Sequence, residues 1–79
     1  MSRKLSNISL REYRDFLLYV GCKKIPGKGG HEKWIRKDLN RPITVQAHIS
    51  PVPEFIIKNG LRTLGMTKDE FIEIIQNKI

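Results

Sequence analysis

Apolar positions recur at helical intervals towards both ends of the chain and alternate with polar ones in the middle. Leu10, Tyr13, Leu17 and Val20 lie at helical spacing with Phe16 beside them, while Arg11, Arg14 and Asp15 fall on the opposite side. Ser9 and Glu12 form a capping box at the start of this helix, with Ile8 placed to staple onto Tyr13, and Gly21 supplies the left-handed residue that ends it. Residues 22–25 make a short extended run closed by Pro26, and Gly27-Lys28-Gly29-Gly30 continues no regular element. Residues 31–37 and 41–48, rich in Trp, Ile, Thr and Val, read as two strands joined by a short Asp-Leu-Asn-Arg turn. Pro51 and Pro53 lead into a second helix over 53–64 with Phe55, Ile56, Ile57, Leu61 and Leu64 on its apolar side. Gly60 is a blemish in it, because a mid-helix Gly costs about 1 kcal/mol relative to Ala. Gly65 terminates that helix, and Thr67 with Glu70 caps a last one that carries Phe71, Ile72, Ile74 and Ile75.

The order α-β-β-β-α-α predicts a two-layer α+β fold, a three-stranded antiparallel sheet with helices on one face, as one domain over 1–79 with 1–8 a flexible lead. Symmetric pairing across the 38–41 turn sets Asp38 opposite Arg41, Lys37 opposite Pro42 and His31 opposite His48. Alternation then gathers Trp34, Ile43, Val45 and Ala47 on one face and His31, Lys33, Ile35, Lys37, Thr44, Gln46 and His48 on the other. The first face packs on helices, and the second is open and basic.

With 79 residues there is room for a single small core and for no second domain. Lys and Arg number 15 against 8 Asp and Glu, a formal charge of +7, which points to a polyanionic partner, nucleic acid first. The excess is concentrated between residues 23 and 41, where seven basic residues face two acidic ones, and the stretch after it is balanced. A solvated basic face without a partner is the plainer alternative. The lone Cys22 allows no internal disulfide and belongs in the core, and no segment has the apolar length of a membrane span or a leader, so a reduced, cytoplasmic setting is expected.

The glycine-rich 27–30 segment lacks the Walker spacing and precedes a strand, so it is no nucleotide-binding P-loop. Its glycines let a phosphodiester approach the backbone, with Lys28 and His31 beside it, although a plain connection between strands is equally available. Two histidines and one cysteine make no recurrent zinc spacing, and no acidic cluster suits magnesium, so metal-free chemistry is expected. RNA permits it: the 2′-hydroxyl attacks the adjacent phosphate once a base removes its proton, a task suited to an imidazole with its unperturbed pKa of about 6.5. Neighbouring lysines then hold the charge that builds on phosphorus. His31 and His48 are the candidates, and each is otherwise an ordinary polar strand residue. Trp34 belongs to the core by its alternation, and Ile35 is the exposed apolar oddity, suited to RNA or a protein partner.

Gly21, then Gly-His-Glu-Lys-Trp at 30–34, Pro42-Ile43-Thr44-Val45, His48, Leu61-Arg62 and the run from Gly65 to Phe71 together resemble the HicA toxin family over residues 9–75. The resemblance implies a fold similar to a double-stranded-RNA-binding domain and an mRNA interferase of a bacterial type II toxin–antitoxin system acting in stress response. It implies His31 as the catalytic histidine, Lys28 at a commonly basic position, no metal or cofactor, and a HicB-like antitoxin that covers the histidine. Beside the resemblance, which lends His48 no catalytic role, the residues themselves suggest RNA binding by Lys28, Gly29, Gly30 and Lys33 and make His48 a candidate to assist His31 in catalysis. Gly30 stands where many members have Ser, a change expected to loosen the loop, and Gln46-Ala47 where a Pro often precedes the later His.

Two further readings stay open beside the endoribonuclease: a non-catalytic RNA-binding module using the same basic face, and a docking site for an acidic protein.

Overall fold

The computed structural model describes residues 5–79. The expected flexible lead divides accordingly: 1–4 lie outside the described residues, whereas Leu5–Asn7 forms a 3-10 turn in which Leu5 is buried, and Ile8 is buried as well.

Helix α1 spans Leu10–Tyr19 and begins with the predicted capping box, in which Ser9 accepts from the Glu12 N–H while the Glu12 carboxylate accepts from the Ser9 N–H at 3.0 Å. Gly21, at φ +92°, turns the chain out of it. Strands β1 (Lys23–Ile25), β2 (His31–Ile35) and β3 (Ile43–Gln46) form one antiparallel sheet in the order β1-β2-β3. Helix α2 (Glu54–Leu64) ends at Gly65 in the left-handed region, and α3 (Lys68–Asn77) opens with the second capping box. The chain is thus a small α+β fold with three helices and an open three-stranded sheet.

Trp34, Ile43 and Val45, from one face of the sheet, are buried in a common core with Tyr13, Phe16, Leu17, Ile57, Leu61 and Phe71 of the helices. Phe71 and Phe16 meet in a T-shaped arrangement with ring centroids 4.6 Å apart, which ties α3 to α1. The opposite face of the sheet stays open, with His31 and Ile35 exposed.

Gly60 is no blemish. A Cβ there would collide with the Tyr13 hydroxyl, so glycine lets α2 approach α1 and the sheet closely. The hydroxyl itself is buried without a hydrogen-bond partner, and burial raises its pKa.

The strand register differs from the symmetric expectation. His31 pairs with Gln46, Lys33 with Thr44 and Trp34 with Ile43, and both strands are shorter than predicted, so residues 36–42 connect them instead of a tight turn. Arg36 is the reason: its guanidinium leaves the strand to donate to the Val20 carbonyl at 2.7 Å and to grip Asp38 through two hydrogen bonds. The Leu39 N–H closes a turn on the Arg36 carbonyl, and Leu39 packs against the core. The displacement is two residues, an even number, so every strand side chain keeps the face that alternation assigned it.

Candidate active site

His31 is the first residue of β2 and is exposed. Its N–H donates to the Lys28 carbonyl at 3.3 Å, closing a turn through Gly29, whose φ of +64° favours glycine. The turn fixes His31 at the corner where the glycine-rich loop enters the sheet, with the exposed Lys28 beside it.

Two steps along β2 on the same face stands Lys33, about 7 Å further on at the strand rise. Its ammonium donates to the Thr44 hydroxyl at 2.9 Å, which holds the cation over the sheet. The register of β1 adds Ile25 beside Lys33 and Lys23 beside Ile35. Ile35, at 38 % exposure, is the apolar outlier that alternation predicts.

His48 does not sit across from His31. It follows β3, in a turn closed by the Ile49 N–H on the Gln46 carbonyl at 3.4 Å, and its ring lies against Gly30. A Cβ on Gly30 would come within 2.5 Å of the ring's Cδ2 and 2.6 Å of its Nε2. The cross-strand pair expected from symmetric pairing is therefore replaced by an imidazole seated on the backbone one residue upstream. Gly30 serves as that seat, and its carbonyl accepts from the Ala47 N–H at 2.6 Å.

The helix side of the same strands was not anticipated in its polar detail. Glu32 is buried there, accepting from the Trp34 indole N–H at 3.1 Å and from Arg14 of α1 in a two-pronged ion pair. Burial by itself would raise the Glu32 pKa, but the hydrogen bonds from Arg14 and Trp34, with the nearby charges of Arg14 and Lys24, hold it below the usual carboxylate range. Alternation does place Glu32 on the apolar face, and a carboxylate there demands a cation; nothing local says that it is Arg14, eighteen positions earlier.

Charge accounting therefore separates two classes of cation. Arg14 and Arg36 are engaged with Glu32 and Asp38. Among the described residues, Lys23, Lys28, Lys33, Lys37 and Arg41, on the sheet or its connections, form no ion pair, whereas Lys24, opposite Trp34, lends its charge to Glu32. Cys22 is buried, and its thiol pKa is raised chiefly by that burial, as befits a core residue. Among the described residues no three His, Cys, Asp or Glu side chains gather to hold a metal ion, and no helix is long and apolar enough to cross a membrane. Comparison with protein-family models, with curated proteins and with solved structures gives no match for this chain.

Proposed function

We propose that the protein is a metal-independent endoribonuclease that cleaves mRNA, the toxin half of a bacterial toxin–antitoxin pair acting in the cytoplasm on a fold of the double-stranded-RNA-binding kind. The observation that carries this reading is the exposure of His31 at the corner of an open sheet face whose cations lack carboxylate partners. In this mechanism His31 removes the proton of a ribose 2′-hydroxyl, the 2′ oxygen attacks phosphorus, and the P–O5′ bond breaks as the 5′ oxygen takes a proton from solvent water. Lys28 and Lys33 stabilise the charge that develops on the phosphorane oxygens. His48, seated on Gly30, assists proton transfer from the same corner. The partner is a HicB-like antitoxin lying on the open face, where the exposed Ile25 and Ile35 offer apolar contact on the same side of the sheet as His31.

Incubation of the purified protein with labelled single-stranded RNA in EDTA tests this. The wild type is expected to cut, and His31→Ala to lose about a thousandfold in rate while still retarding the RNA, as loss of one general acid–base group predicts. RNA that is retarded but never cut by the wild type would leave a binding module alone, and undiminished cutting by His31→Ala would remove His31 from the mechanism.

A further inference from the structure

A groove of about 360 Å³ opens where the start of β3 faces α2. Its walls are Arg41, Pro42, Ile43 and Thr44 on one side and Ile56, Asn59, Gly60, Arg62 and Thr63 on the other. Two arginines and no acidic residue line it, and among the described residues neither arginine is in an ion pair. Pro42 and Ile56 add apolar surface, and the volume lies within the range of small-ligand sites, which suits one sugar and base better than a bare anion.

Two independent features turn this groove towards the candidate active site. The first is the free edge of β3. Because the Ala47 N–H bonds the Gly30 carbonyl, the paired backbone groups of β3 are those of Ala47, Val45 and Ile43, and the N–H and C=O of Thr44 point outward from the sheet. The second is the Lys33 ammonium, which reaches across to the Thr44 hydroxyl at 2.9 Å and so lays positive charge on the opposite lip of the same strand. From Gln46, the partner of His31, to Thr44 is two residues, about 7 Å at the strand rise.

On the reading of the protein as an endoribonuclease, we infer that this groove is a nucleotide subsite for the RNA strand flanking the scissile linkage. Arg41 and Arg62 hold a phosphate there, and the sugar and base lie over Pro42 and Ile56. The strand runs along the edge of β3 from His31 past Lys33 into the groove. RNA long enough to reach the groove is then cleaved better than a minimal substrate, and the advantage belongs to the two arginines.

The experiment compares kcat/KM on a series of oligonucleotides from two to ten nucleotides, each with a single ribonucleotide in a DNA backbone so that only one linkage is cleavable. The wild type is expected to gain with length and then to level off. In Arg41→Gln/Arg62→Gln the advantage of the long substrates over the dinucleotide shrinks about tenfold, as for lost charge-assisted contacts. The slope of log affinity against log salt falls by about 0.7 for each phosphate contact removed. Lys78→Gln, which removes a cation beyond the end of α3, keeps the length advantage, and unchanged melting temperatures in all three proteins show that folding is not the cause. A double variant with the full length advantage overturns the subsite while cleavage stands. A wild type that neither binds nor cuts any of the series overturns the endoribonuclease reading with it.

Discussion

Strand β2 presents a carboxylate to one side of the sheet and, one residue away in either direction, an imidazole and an ammonium to the other. On the helix side Glu32 is buried and fully engaged by Arg14 and Trp34; on the open side His31 is exposed and Lys33 touches only a hydroxyl. The difference follows from dielectric. A buried charge must find its counter-ion within the chain, whereas a solvated cation is left available for a charge that arrives from outside. The fold thereby spends its acidic partners chiefly on Arg14 and Arg36, which join elements, and leaves Lys23 and Lys33 of the sheet without an ion pair.

Adjacent residues give the sharpest way to break this comparison. Trp34→Ala should cost about 4 kcal/mol in chemical denaturation, the usual loss for a large buried aromatic, while Ile35→Ala should cost about 0.5 kcal/mol or less. Similar losses at the two sites would mean that the open face is covered.

Glu32→Gln tests the buried charge. The expected loss is about 2 kcal/mol, less than for a wholly buried pair, because the Arg14 side chain retains 37 % of its exposure. A folded-state pKa held below its unfolded value stabilises the protein above the ordinary carboxylate range, and that stability is lost as pH falls through the lowered pKa. Acid titration of stability should therefore be shallower in Glu32→Gln below about pH 4.3, the ordinary Glu value. An unchanged acid limb would show that Glu32 titrates normally.

Gly30→Ala addresses the seat of His48. The new methyl group displaces an exposed ring that can swing away, so stability should fall by less than about 1 kcal/mol. Cleavage should fall about a hundredfold, the low end of what a proton-transfer group contributes. Gly30→Ala/His48→Ala should recover the stability and not the rate; recovery of both would make His48 an obstacle rather than a participant.

The last comparison concerns the helices. Tyr13→Phe removes a buried hydroxyl that has no partner and should stabilise the protein by about 1 kcal/mol in thermal unfolding. A loss of stability would reveal a hydrogen bond to that oxygen.

Legibility in the sequence followed the range of the interactions. Both capping boxes, the ends at Gly21 and Gly65 and the faces of the strands rest on contacts within a few residues and could be read directly. The β2–β3 register could not, because Arg36 is drawn out of the strand by the Val20 carbonyl, a partner set by the packing of α1. The placement of Gly60 against Tyr13 and of His48 against Gly30 are likewise meetings between distant segments, for which a lone glycine is an ambiguous sign. His31, at the junction of a local turn and a strand, was legible; the Arg41 and Arg62 groove needed the tertiary approach of α2 to β3.

Helix α1 is clasped at both extremities by other parts of the chain. At its start the Leu10 N–H donates to the Ser50 hydroxyl at 3.1 Å and the Ile8 carbonyl just ahead accepts from Val52 at 2.7 Å; just past its end the Val20 carbonyl is taken by Arg36. Terminal turns are ordinarily the first amides of a helix to fray. Here they cannot open without also detaching the 50–52 segment or the link between β2 and β3. The exchange of their backbone hydrogens with solvent is thereby tied to cooperative opening of the domain, and α1 acts as the keystone of a single folding unit.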